Sequence, residues 1–183
     1  MMLKLLIGAA LGSALLFLPV GAQAAAGGER AEGGKQIYER ANCVGCHKWS
    51  GVGGGGYGGA ALSLRGTQLS HDDIVQLVTC GRPGTGMPTF TTDPYKDGAC
   101  YGLTREDVKD IMPPRGGVVL RPTEIDEVAT YVIANIKGKG QPDLSDCVAF
   151  FGDTSRVCDI YRPKTTGDSL SKHAMPTPTT TAR

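Results

Sequence analysis

The chain of 183 residues is predicted to be all-α, on three observations. A hydroxyl residue followed three positions later by an acid is a helix-opening signature, and it occurs at Ser70 with Asp73, Thr104 with Asp107, and Thr123 with Asp126. After Thr123, the apolar positions Ile125, Val128, Ala129, Val132, Ile133 and Ile136 recur every three or four residues, which gives a helix one apolar face. A cation and a glycine, Lys137-Gly138, stand where such a helix should stop. Regular helical patterning runs from about Gly33 to Lys137.

In chain order, Lys4, an apolar run from Leu5 to Val20, and Ala22-Gln23-Ala24 have the layout of a secretory signal, so cleavage is expected after Ala24. The rival, a retained membrane anchor, is disfavoured by Pro19 and by a run of 16 apolar positions, slightly short for a span. The exported chain carries 18 basic and 18 acidic residues. That balance, with no basic arm, offers nothing to nucleic acid. Residues 25–32 are small and polar and read as a mobile leader. A first helix is expected from Gly33 through Ile37, Tyr38 and Ala41 to Cys43.

The stretch from Gly51 to Gly59 has seven glycines in nine positions, Tyr57 being its one large side chain, and cannot be a stable helix or strand. It reads equally as a surface loop and as backbone lying against a flat group. After Ser70, the residues Ile74, Leu77 and Val78 share a face, and that helix should end before Gly81 and Pro83. A short helix is expected over Thr104–Ile111. Residues 33–140 thus form the main domain, 141–160 a cysteine-bearing extension, and 161–183 a Thr/Pro/Ser/Lys tail with no apolar periodicity to offset the entropy of ordering it.

Cys43-Val44-Gly45-Cys46-His47 carries the chemistry. Cys-x-x-Cys-His is the pattern of c-type haem attachment: two thiols three residues apart each form a thioether to a haem vinyl, and the adjoining imidazole reaches the iron. A zinc half-site would need a second ligand pair and a thioredoxin-like dithiol a βαβ context, and neither is evident. Because this attachment takes place outside the bacterial cytoplasmic membrane, motif and signal both point to the periplasm. An electron-transfer haem usually has both axial positions filled. Met87, in Gly81-Arg82-Pro83-Gly84-Thr85-Gly86-Met87-Pro88-Thr89-Phe90, and Met112, in Ile111-Met112-Pro113-Pro114, both sit in irregular loops that can aim a thioether at a metal; Met175 lies in the tail. His71 reads as a surface residue of a first helical turn, and His173 lies in the tail.

A short helix before Cys-x-x-Cys-His, a Gly-x-Met-Pro-x-Phe loop and a closing amphipathic helix together resemble a monohaem class I c-type cytochrome over residues 33–137. The resemblance implies an all-α fold around one covalent haem c, with His47 proximal and Met87 distal. It also implies a crossing of first and last helices at a small and an aromatic residue, roles open to Gly34, Tyr38 and Tyr131. This chain departs from the family in having no proline soon after the motif, where Ala60-Ala61-Leu62 stands, so the acceptor for the proximal histidine is unassigned. It departs again in the length of Thr91–Leu120, which reads as an insertion able to shape a partner site.

The other four cysteines, Cys80, Cys100, Cys147 and Cys158, read as disulfides in an oxidising compartment. Three pairings exist. Cys80 with Cys100 and Cys147 with Cys158 is favoured because each closes a local loop, and the first would bracket Met87; a thiolate metal site is the rival. Arg65 and Arg82 are candidates to pair with a haem propionate. The function expected is electron transfer between redox proteins such as a periplasmic dehydrogenase and a terminal oxidase, with no substrate transformed. Two alternatives stand beside it. One is a haem subunit of a larger dehydrogenase or respiratory complex; the other is an open-haem peroxidase or gas sensor.

Overall fold

The computed structural model describes residues 21–56 and 60–163, with residues 21–29 by backbone alone. The signal run, Tyr57, Met175, His173 and the tail beyond residue 163 lie outside the described residues. Five α-helices follow one another: α1 (Gly21–Arg40), α2 (Cys43–His47), α3 (His71–Cys80), α4 (Pro122–Tyr131) and α5 (Leu144–Phe151). Short 3-10 segments occupy Lys96–Gly98 and Arg156–Tyr161. Among the described residues there is no strand, only isolated bridges at Thr89–Arg115 and Cys100–Leu103.

α1 begins at Gly21, so the stretch expected to be a loose leader is helical. Its sequence includes Ala22-Gln23-Ala24-Ala25-Ala26, and alanine has the highest helix propensity. The α1–α4 crossing holds as expected. A Cβ at Gly34 would stand 2.1 Å from the Glu127 carbonyl oxygen and 2.6 Å from Tyr131 Cβ, so only glycine lets the helices approach so closely. Tyr38 packs its ring on Tyr131 at 5.5 Å and donates its hydroxyl to the Lys48 carbonyl, fixing α1 to the residue after the attachment motif.

α3 starts and stops where its signals predict. Ser70 and Asp73 close a reciprocal cap, and Gly81 ends the helix with φ 68°. α4 starts earlier than Thr123. Pro122 takes the first helical position and the Arg121 backbone N–H donates to the Glu124 carboxylate, an acid reaching back in the same way from a different pair. Its last turn, Val132–Ile136, is π-helical.

The helix expected over Thr104–Ile111 is a string of turns instead. Its opening cap does form, Thr104 N–H donating to Asp107. Only Val108 is buried to reward further winding, and the Ile111 carbonyl is taken by the Gly84 N–H from outside. Without an apolar face, local propensity does not sustain so short a helix.

A main core joins α1, α3, α4 and Phe150 of α5; a second, smaller one gathers Cys80, Tyr95, Cys100 and Val108 beneath the insertion. The extension is not a separate appendage. Trp49 packs edge-on or tilted against Phe150, Phe151 and Tyr161 at 5.9, 5.5 and 6.1 Å, so residues just past the attachment motif form the seat of the C-terminal segment.

Candidate functional site

α2 is the attachment pentapeptide itself, Cys43–His47, entered through Asn42 and left through Lys48, both in left-handed backbone. His47 Nδ1 lies 3.0 Å from the Leu62 carbonyl oxygen. A carbonyl can only accept, so Nδ1 carries the proton and Nε2 keeps its lone pair for a metal. Burial holds the imidazole below its ordinary range, opposed by the hydrogen bond that it donates to Leu62 O, and so favours the neutral, ligating form. Leu62 is thus the acceptor that the sequence left unassigned. A backbone carbonyl 15 residues downstream leaves no side-chain signature.

The glycine loop that supplies Leu62 is packed backbone on backbone. Gly53 N–H donates to His47 O, Gly55 N–H to Cys46 O and Gly54 N–H to Ala61 O, with Leu64 N–H to Gly51 O completing the fold of the loop onto itself. A Cβ at Gly55 would fall 2.4 Å from the Cys46 carbonyl oxygen and one at Gly53 2.4 Å from that of Ala61. Over Gly51–Gly56 the loop is packed rather than loose: Gly55 lies against the backbone of Cys46 and Gly45, Gly53 against that of Ala61 and Leu62, and Gly51 against Ile136, while Val52, Gly54 and Gly56 are exposed.

The cysteines sort into the expected groups. Cys80 joins Cys100, Cys147 joins Cys158, and Cys43 and Cys46 remain free. Burial pushes the Cys43 thiol up to about 12, so it is a thiol rather than a metal-ready thiolate. Among the described residues no group of three or more His, Cys, Asp or Glu side chains is placed to hold a metal ion, which leaves the zinc reading without partners. Two free thiols spaced for two vinyls, beside an imidazole with a defined free nitrogen, fit haem c.

The two methionines differ in setting. Met87 is half-buried against the main core, as are Cys43, Val44, Trp49 and Leu64. Its loop is closed by Arg82 N–H donating to Met87 O, and Met87 N–H donates to Thr85 Oγ1. Met112 is 40% exposed and lines a cavity of about 130 Å³ beside Tyr95, Asp93 and Arg105, outside the main core. His71 bridges α3 to Asp126 and Thr130 of α4 and faces no part of the attachment motif.

The propionate role expected of Arg65 is not where the structure puts that side chain. Arg65 is 7% exposed, and its fork is occupied: Nη1 donates to Ser50 O, Nη2 to the Asp146 carboxylate at 2.6 Å, and Nε to the carbonyls of Lys139 and Gly140. It ties the segment after the motif to the end of α4 and to α5. Asp146, the partner that makes this burial tolerable, had no motif to reveal it. Arg82 is exposed at the base of the Met87 loop, its guanidinium near enough to Tyr101 to oppose the upward push of burial on that phenol.

An all-α fold with paired free thiols next to an oriented imidazole has the groups that covalent attachment of a haem needs. Residues 29–104 match the family model described as Cytochrome C oxidase, cbb3-type, subunit III. The match supports a c-type cytochrome domain over those residues; it spans α2, α3 and Met87 and ends before Met112. No curated protein and no solved structure matches the chain.

Proposed function

We propose that the protein is a periplasmic electron carrier with one haem c, attached at Cys43 and Cys46 and ligated by His47 Nε2 and Met87 Sδ. The observation that carries this reading is the His47–Leu62 hydrogen bond, which commits one imidazole nitrogen to the protein and leaves the other for iron. One Cys-x-x-Cys-His in the sequence supports one haem. When bound, the haem supplies a one-electron Fe(II)/Fe(III) couple. The chain's own part is to fix the imidazole through Leu62 and to hold Met87 in a closed loop, half-buried against the main core. With both axial positions filled, little rearranges as the charge changes, and methionine opposite histidine raises the potential.

The test is the visible spectrum of the oxidised protein, where a weak far-red band marks methionine sulfur on ferric haem. The expected result is a band in the parent and in Met112→Ala, lost in Met87→Ala. Its absence from the parent would favour the open-haem peroxidase or gas-sensor reading.

A second reading, a haem subunit within a respiratory complex, is supported by the printed description of the matched family, an oxidase subunit. Exposed Val157 and Ile160 on the extension are apolar side chains that such an assembly would cover. Isolation from the native membrane in mild detergent separates the two: a carrier leaves in the soluble fraction, and a subunit stays with an oxidase or dehydrogenase.

A further inference from the structure

The segment after the Met87 loop fastens the loop, by backbone where Gly84 N–H donates to the Ile111 carbonyl, and by side chains at its stem, where Tyr101 is the side chain nearest the loop. The carbonyls left unpaired at the end of α3 are satisfied in order. Phe90 N–H donates to Val78 O; Thr89 and Thr91 hydroxyls donate to Thr79 O at 2.6 and 3.1 Å. Buried Tyr95 donates to Cys80 O at 3.0 Å, and Tyr101 to Gly81 O at 2.8 Å. An ordinary C-cap satisfies such carbonyls with following backbone; here hydroxyls from ten to twenty residues away do it.

Gly81 is the last residue before the closed turn Arg82–Met87, and it has no slack on its other side. A Cβ there would stand 2.7 Å from both Pro113 Cβ and Thr89 N. Tyr101 has φ 57°, unusual for an aromatic side chain, and it adjoins Cys100, which is bonded to Cys80. Backbone in this region is held only where its surroundings enforce it. A strained residue, braced by a cross-link to residue 80, thus presents its hydroxyl to residue 81.

We propose that Tyr101 is a positioning residue for the axial methionine: by holding the Gly81 carbonyl, its hydroxyl keeps Met87 Sδ on the iron and limits the fraction of ferric protein in which that ligand is away. The proposal rests on the His47/Met87 reading. An exogenous ligand that takes the vacated position binds in proportion to that fraction, so its apparent affinity measures the latch directly.

The experiment is an imidazole titration of the ferric holoprotein, followed at the far-red band, in the parent, Tyr101→Phe, Met87→Ala and the core variant Ile125→Val in α4. Tyr101→Phe should retain the band without imidazole and bind imidazole about 5-fold more tightly, the ratio one ordinary hydrogen bond supplies. Ile125→Val, which lowers stability away from the loop, should stay within about twofold of the parent, because a general loss of stability does not select the methionine. An affinity for Tyr101→Phe equal to that of the parent or of Ile125→Val overturns the latch while leaving the ligand assignment intact. A parent without the band, or a Met87→Ala that keeps it, overturns the ligand assignment and the latch with it.

Discussion

On the His47 side of the site, backbone holds backbone: glycine N–H groups donate to the carbonyls of Cys46 and His47, and a carbonyl, Leu62 O, receives the imidazole. On the Met87 side, side chains hold backbone: two threonines, two tyrosines and one disulfide secure the stem of a loop whose tip is held by few bonds. The first arrangement is sensitive to the volume of an added methyl and indifferent to redox chemistry. The second tolerates volume at the loop's tip, at Gly86, though not at Gly81 in its stem, and depends on hydroxyls and a reducible bond. An imidazole on a short helix needs orientation, which close packing gives; a thioether on a long loop needs restraint against departure, which cross-links give.

Glycine substitution should break the comparison most sharply. Gly55→Ala forces a methyl against two carbonyl oxygens, those of Cys46 and Gly45, and is expected to lose about 3 kcal/mol or more of stability with impaired haem attachment. Gly86→Ala, with nothing within 4 Å of the added atom, should stay within about 0.5 kcal/mol of the parent. Urea unfolding and haem-stained gels read both; equal losses would show that the two sides are held alike.

Replacing Cys80 and Cys100 together by alanine should lower stability by about 3 kcal/mol, as the chain-entropy account gives for a loop of this length, and should weaken the far-red band. The same double change made at Cys147 and Cys158 should leave the band alone. Asp146→Asn removes the charge facing buried Arg65, the one ionic tie on the His47 side, and should cost roughly 2 kcal/mol by urea unfolding, Asp146 itself being partly exposed. Full stability in Asp146→Asn would show that the backbone bonds alone secure that side.

The smallest effect is expected at Glu124, which lies outside both sides. Hydrogen bonds from Arg121 hold its carboxyl at about 2, below its ordinary 4.5. A lowered folded-state value means the stabilisation is complete above about 4.5 and is lost as the pH falls through about 2. Glu124→Gln should therefore shift the unfolding midpoint slightly at pH 7 and not at all near pH 2, and high salt should diminish the difference.

The sequence was most legible where one residue type has one use. The cap at Ser70 and Asp73, the stop at Gly81 and the periodic face of α4 all read through to the structure, as did the local pairing of the four remaining cysteines, and Cys-x-x-Cys-His lies within the residues that match the cytochrome family model. What could not be read depended on distant partners. Arg65 looks like any arginine until Ser50, Gly140 and Asp146 surround it, and Thr104 opens a helix that the lack of an apolar face does not continue. Leu62 acts through its carbonyl, and Tyr101 through a contact with a residue 20 positions away.

The seat of the extension on Trp49 has a consequence for the order in which the fold closes. Residues that close over the neighbourhood of the attachment motif come late in the chain: Asp146 lies 81 positions beyond its partner Arg65, and Phe150 and Tyr161 follow. A chain made from its N-terminus delivers Cys43, Cys46 and Trp49 first and the aromatic rings that pack on Trp49 last. Long-range closure is slow to form, so Trp49, three residues past Cys46, stands uncovered for an interval after the motif has been made.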